Sequence, residues 1–387
     1  MRPCNGIQEL LTLDNIENAE SNYQTRYGTP PLKLSSWNPS LYYENHTLLN
    51  SVLFPFQAPL IDYIYSYDLE DEQLSHVAQK LTGSALYKTI ITNSGTSSIS
   101  LTSSVLAAMS CKRLLVVSPT YFATFYNCFQ KGIQIREVYM QRVNQGYRLP
   151  RQDILSAIGD VDAVWITSPI YNTGIYLNES DIQFLREYVL PEKFLIADES
   201  FCENGLELAR LFGDSPHFIG IYDPMKQFLL NGAKFSAIII PRALQAMFCQ
   251  WSDIICGSLS YSAINAMRFF ASSKSEQLSH SLKNENLLIH GIVRNVLLSF
   301  PDINLDDASS GHMMMCYVPK MPADFLTDYD DILHFINMTG TSVIPGNRFH
   351  FSNQAGFSFR INVARYEPLK FEQALMRVAT YFSDFAR

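Results

Sequence analysis

The sequence predicts an α/β protein: a large domain built on a mostly parallel sheet of seven strands covered by helices, with a smaller α+β domain beside it. Three observations predict this. From about Tyr87 onward, short runs rich in β-branched and apolar residues alternate with segments of helical pattern. Those runs are apolar throughout rather than at every second position, which suits strands buried on both faces. A chain of 387 residues that is 47% hydrophobic and 17% charged can also fill one large core and a smaller companion.

The elements follow in order. Up to about Leu48 the chain is rich in Asn, Tyr and Pro ("RYGTPPLKLSSWNPSLYYENH") and is expected to form an extended arm with a few short elements. The strand "YKTIITNS" leads to the helix "TSSISLTSSVLAAM", and "RLLVVSP" leads to "YFATFYNCFQKG". "IQIREVYM" precedes "RQDILSAIG", "DAVWITSP" precedes "NESDIQFLREYVL", and "KFLIADES", "FIGIYDP" and "KFSAIIIP" complete the series. After about Ser258 a long helical stretch is expected. It is followed by strands at "HMMMCYVP" and "FSFRINVA" and a final helix at "EPLKFEQALMRVATYFSDF". This divides the chain into 1–48 (arm and part of the small domain), 49–258 (large domain) and 259–387 (connecting helix and small C-terminal domain).

Composition narrows the function. The formal net charge of -8 disfavours nucleic acid as a partner, because phosphate binding needs concentrated Lys and Arg. The seven cysteines are scattered, with no CxxC, which points to a reducing, cytoplasmic setting. The N-terminus "MRPCNGIQEL" has no apolar signal region, and no stretch is apolar for long enough to span a bilayer.

On a parallel sheet, ligands bind beyond the carboxyl ends of the strands, so the residues just after each run are the place to look. In "TNSGTSSIS" a strand ends, Gly95 permits a tight turn, and Thr96, Ser97 and Ser98 open a helix whose free N–H groups and hydroxyls suit an anion; plain N-capping is the alternative. Asp198 ends "KFLIAD" and is either a cap or an acid that can hold a heteroaromatic nitrogen protonated. Lys226 follows a buried strand, where charge is disfavoured. It is a snorkelling lysine or an amine that bonds a carbonyl. Lys234 is a phosphate-binding cation or a solvated lysine at a strand edge. Arg360 lies inside the apolar strand "GFSFRINVA", where a substrate carboxylate or an internal acid would satisfy it.

Taken together, "NSGTSS", "SPTYFATFY", "ITSPIYNTGIYL", "IADESF", "YDPMKQFLLNGAKFSAIII", "VIPGNRF" and "FRINVA" stand in an order and at distances that resemble the fold-type I, pyridoxal-phosphate-dependent aminotransferases of class I/II. The resemblance runs from about Tyr65 to the C-terminal helix. It implies that Gly95, Thr96 and Ser97 line the cofactor phosphate, Tyr121 stacks on the pyridine ring and Asp198 pairs with its nitrogen. It further implies that Lys226 is the Schiff-base lysine and later the general base, that Arg360 takes the substrate carboxylate, and that Lys234 stands in for a phosphate-binding arginine. Tyr65, or Tyr67 as a substitute, matches a tyrosine that reaches the neighbouring subunit's phosphate, which implies a homodimer. The substrates implied are an amino acid and a keto acid.

Four positions depart from the family pattern. Tyr171 stands in a gapless match where an Asn meets the cofactor's ring oxygen, with Asn172 able to serve if the turn shifts. Phe201 replaces a tyrosine that reaches the same oxygen. Asp223 stands where Ser or Thr meets the phosphate; like charges about 4 Å apart repel by roughly 4 kcal/mol at an effective dielectric of about 20. Lys234 lacks the bidentate fork of arginine. These departures keep two alternatives to transamination in view: decarboxylation, elimination or cyclisation on the same scaffold, and a cofactor-free relative. His312, Tyr42 and Tyr43 are within reach of the site from the small domain or the arm and are read as structural.

Overall fold

A computed structural model describes residues 6–45, 64–66, 71–82, 88–144, 146–203, 207–212, 215–308, 311–346 and 356–385. Tyr67, positions 46–48 of the arm and 347–349 of "VIPGNRF" lie outside the described residues.

The large sheet has seven strands: β1 Lys88–Thr92, β2 Arg113–Ser118, β3 Gln134–Tyr139, β4 Ala163–Thr167, β5 Phe194–Asp198, β6 Phe218–Tyr222 and β7 Ser236–Ile240. Their spatial order is β1-β7-β6-β5-β4-β2-β3. β7 runs antiparallel to both of its neighbours, and the remaining pairs are parallel.

The period of two along each strand divides its apolar residues between two cores. Ile90, Val116, Trp165, Ile196, Ile221 and Ile238 pack with the helices Gly95–Ala108 and Gln245–Ile255 on one face. Ile91, Val117, Val164, Leu195 and Ile239 pack on the other with the helices Arg151–Ile158 and Glu179–Tyr188. Burial on both faces is why these strands read as unbroken apolar runs. Of the two strands at the ends of the sheet, β1 is mostly buried but β3 is the exception, its sequence QIREVY being mostly exposed or half-buried.

The small sheet comprises β8 Asn304–Leu305, β9 Met313–Val318, β10 Ile344–Pro345 and β11 Phe357–Asn362, ordered β8-β9-β11-β10 and antiparallel throughout. The C-terminal helix Lys370–Phe385 covers it, with Phe382 stacked on Phe359 at 4.9 Å between ring centroids. Among the described residues, no helix is long and apolar enough to cross a membrane.

Three elements depart from the sequence reading. The arm is not mainly extended, because Gly6–Tyr27 is a 22-residue helix. Thr12, Ile16, Ala19 and Glu20 form its buried face, a spacing of three and four, but two of these four are polar and the Asn and Glu around them hide the pattern. Tertiary polar contacts fix its place. The buried Glu20 carboxylate accepts from Ser35 Oγ at 3.0 Å and Ser342 Oγ at 2.5 Å, and pairs with Lys33 Nζ at 2.6 Å. The second element is the hairpin Gln141–Val143 with Gly146–Arg148. It is anchored from outside itself: Arg142 Nε and Nη2 donate to Asp306 Oδ1 at 3.0 and 2.7 Å, and the Tyr147 hydroxyl donates to the same carboxylate. The third is the helix Gln245–Ile255, which begins before the long helical stretch expected after Ser258.

Candidate active site

One edge of the large sheet collects the candidate residues. β7 is antiparallel, and its register sets Ser236 opposite Thr92 and Ala237 opposite Tyr222, so its start lies beside the ends of β1 and β6. A chain of hydroxyls joins these ends. Ser98 Oγ lies 2.8 Å from Thr92 Oγ1 and donates to Ser236 Oγ at 2.9 Å, and Ser236 Oγ donates to the Tyr222 carbonyl at 2.8 Å. The start of the helix Gly95–Ala108 is thereby fixed against β6 and β7. Ser94 caps this helix, its Oγ accepting from the Ser97 N–H at 3.2 Å. Gly95 is buried and Thr96 is exposed.

Asp223 follows β6 and opens the 3-10 turn Pro224–Lys226. Its carboxylate is 2% exposed, Oδ2 lies 3.7 Å from Lys226 Nζ, and Oδ1 has no hydrogen-bond partner among the described residues. Gly95 abuts it: a Cβ at that position would sit 3.1 Å from Asp223 Oδ2. Burial raises the Asp223 pKa above the usual carboxylate range. Lys226, Lys234 and the Gly95 N–H oppose that rise, and the Asp198 charge adds to it. Lys234 is exposed and makes no ion pair among the described residues, so it acts on Asp223 only through space.

Asp198 ends β5 and is buried, its Oδ1 accepting from Ser200 N at 3.1 Å and Ser200 Oγ at 2.6 Å. The Lys226 ammonium lies 4.7 Å from the centre of the Phe201 ring. Around Phe201 stand Trp37 at 5.9 Å, Tyr171 at 6.0 Å and His312 at 6.2 Å between ring centroids, and Tyr121 joins through Tyr171 at 6.1 Å. Asn172 has φ +63°, is 3% exposed, and leaves both polar atoms of its side-chain amide buried without a partner among the described residues.

Arg360, fully buried on β11, lays its guanidinium 4.0 Å from the centre of the Trp37 ring and donates through Nη2 to the Ser35 carbonyl. The arm is held at this point by three side chains. Besides Arg360, Asn362 Nδ2 donates to the Ser36 carbonyl at 2.7 Å and Asn231 Nδ2 to the Trp37 carbonyl at 2.9 Å.

The fold thus gathers Gly95, Tyr121, Tyr171, Asp198, Phe201, Asp223 and Lys226 at one end of the large sheet, with Asn172 next to Tyr171 in the chain, and Arg360 of the small sheet approaches them through Trp37 and His312. Ser97 is turned toward its own cap, and Lys234 stands at the exposed rim. Tyr65 is half-buried beside β1, where the neighbouring Ser66 Oγ accepts from the Ile91 N–H at 2.8 Å. Two residues of this neighbourhood escape the sequence reading. Trp37, the lone aromatic of "SSWNPS", carries a signal only in being a tryptophan among polar residues. His312, read as structural, lies between Phe201, Arg360 and Lys226.

Two buried histidines set the acid limit of the fold. Burial, then the charges of Arg360 and Lys226, push the pKa of His312 down to about 3; burial and Arg294 bring His290 to about 4. Unfolded, each titrates near 6.5. The stability they confer is full above about pH 6.5 and is lost as pH falls toward the folded values, at roughly 2 kcal/mol each by about pH 5. Urea unfolding between pH 7.5 and 4.5 is expected to show this slope and His312→Gln to flatten it. A wild-type midpoint that stays level over this interval contradicts the assignment.

No family model matches the chain. Over 194 residues, 46% of this chain and 50% of the relative, it is 25% identical to a histidinol-phosphate aminotransferase of Cronobacter sakazakii. The match therefore spans about half the length of that relative. Solved structures align over nearly the whole chain. A double mutant of Thermus thermophilus aspartate aminotransferase superposes with a TM-score of 0.76 at 15% identity, covering 98% of this chain and 97% of its own. A C–S lyase from Staphylococcus hominis, solved with its pyridoxal phosphate and an inhibitor, gives 0.72 at 14% identity over 90% and 92%. The fold is the one that these enzymes share.

Proposed function

We propose that this chain is a pyridoxal-phosphate-dependent aminotransferase, moving the amino group of an α-amino acid to a keto acid. One observation supports the reading: Asp198 ends one strand of the large sheet and Lys226 follows its parallel neighbour, and Arg360 of the small sheet comes near them through the shared neighbours Phe201, His312 and Trp37, in a fold that such enzymes share.

The residues fit the pyridine ring and its aldehyde. The Asn172 amide is a buried polar group left for a ligand to satisfy. Tyr121 is half-buried with Tyr171 near its ring, and Asp198 is a buried acid held in place by Ser200. When bound, pyridoxal phosphate supplies an electron sink for a bond broken at the substrate's α-carbon.

The chain supplies the rest. Lys226 would hold the cofactor's aldehyde through its amine and would move the proton at the substrate's α-carbon. Asp198 would favour a proton on the ring nitrogen through its negative charge. Arg360, its planar fork braced by Trp37 and the Ser35 carbonyl, orients the substrate carboxylate. The aromatic wall of Phe201, Tyr171 and Trp37 excludes water on that side.

Transfer is preferred to decarboxylation, elimination or cyclisation because the sequence relatives are aminotransferases; the shared fold, which includes a C–S lyase, does not choose among them. The same reading carries a homodimer and the division into 1–48, 49–258 and 259–387. The free cysteines, six among the described residues, agree with a cytoplasmic setting.

The test is to load the protein with pyridoxal phosphate, add single amino acids without an acceptor, and follow the cofactor spectrum and the products. One keto acid per site and conversion of the cofactor to its amine form are expected. Release of carbon dioxide or ammonia with the cofactor unchanged rejects transfer.

A further inference from the structure

Asp223 sits where an anion is already favoured. It faces the start of the helix Gly95–Ala108, lies 3.7 Å from the Lys226 ammonium, and is buried with Oδ1 unpartnered. Gly95 leaves it room, since a Cβ there would meet Oδ2 at 3.1 Å. On the cofactor reading above, from which this inference proceeds, the same helix start lines the phosphate. A second anion brought there meets a carboxylate before it meets the helix.

We propose that Asp223 is a built-in anion at the phosphate end of the site, so that the site takes the pyridoxal group with little preference for its phosphate. The groups that bear on the Asp223 carboxylate support this. Lys226 is the amine the cofactor occupies, so its charge is not free to serve a phosphate. Lys234 remains, but at the exposed rim, where water weakens its pull. The Gly95 N–H also favours the charged carboxylate, whereas Asp198 opposes it and would oppose a phosphate too. Among the described residues, one exposed cation and one helix start therefore face two anions, and phosphate contributes little to affinity. In this fold the phosphate-free aldehyde, pyridoxal, becomes a competent occupant.

The experiment titrates wild type, Asp223→Asn and Asp223→Ser with pyridoxal phosphate and with pyridoxal at pH 8, reading visible absorbance and trapping each adduct with borohydride for peptide mapping. Wild type is expected to bind the two aldehydes within about threefold of each other. The uncharged Asn and the hydroxyl-bearing Ser are each expected to tighten pyridoxal phosphate by about tenfold or more, with pyridoxal nearly unchanged. Asn keeps the size of the side chain, so it guards against a folding defect in Ser. Adducts at Lys226 in every protein, with wild type preferring pyridoxal phosphate by about a hundredfold or with neither variant tightening it, overturn this inference alone. No adduct at Lys226 in any protein with either aldehyde overturns the cofactor reading, and this inference with it.

Discussion

Lys226→Ala is expected to lower amino-group transfer by about 10⁴-fold or more, because one amine both holds the cofactor and moves the α-proton. Neighbouring groups cannot take over. Lys234 is exposed and too remote from Asp223 to form an ion pair, and His312 is kept neutral by burial and by two nearby cations. The substitution has a structural side as well. It strips a buried carboxylate, Asp223, of the cation 3.7 Å away. A buried carboxylate left without its half-buried cation destabilises the fold, so Lys226→Ala is expected to melt earlier than wild type. Lys226→Arg separates the two effects: it keeps a cation near Asp223 but presents a guanidinium that does not condense with the aldehyde. It should therefore melt close to wild type and still fail in turnover. Keto-acid release within tenfold of wild type by either variant would remove Lys226 from the chemistry.

Asp198→Asn is expected to lower turnover by about 10²–10³-fold, the usual scale for removing one preorganised charge from a buried site. Asn is the informative choice. The Ser200 N–H and hydroxyl both donate to Asp198 Oδ1, and an amide oxygen can accept both bonds. The fold should keep its stability while the ring nitrogen loses its counter-charge. Asp198→Ala instead leaves the two Ser200 donors without their acceptor, at a cost of about 1–3 kcal/mol in stability. If the carboxylate acts only as a cap, the order reverses: Asn keeps full turnover and Ala loses only stability. Measuring the rate and the urea midpoint for both variants decides between the two roles.

The large sheet was legible because its strands are buried on both faces, so that runs such as "AVWIT" and "SAIII" carry the signal within a few residues. The candidate residues could be picked out for a related reason: on such a sheet the ligand end follows the strands, and Asp198 ends β5 while Asp223 and Lys226 stand just past β6. What escaped depends on partners far away in the chain. The helix Gly6–Tyr27 has a polar composition, and its place is fixed by Glu20 meeting Ser35 and Ser342. The hairpin at 141–148 is anchored by Asp306, more than a hundred residues later. Trp37 joins the site because Asn231, Arg360 and Asn362 hold the carbonyls of the arm. No local periodicity encodes such pairings. Asp223 could be suspected from its position beside a lysine, but its approach to Gly95 needs the antiparallel register of β7, which brings the ends of β1 and β6 to one edge.

That register also sets an order of events during synthesis. β1 reaches the rest of the large sheet only through β7, the widest sequence separation of any pairing in that sheet. A nascent chain that has emerged as far as β6 can assemble the parallel strands and pack the helix Gly95–Ala108 on them, yet Lys88–Thr92 must wait for its partner, with the edge of β6 unprotected. Closure comes when Ser236–Ile240 threads between the two, and the Ser98–Ser236 contact then locks the anion end of the site. Long-range closure of this kind is slow, and until β7 emerges the edges of β1 and β6 have no partner strand in the large sheet.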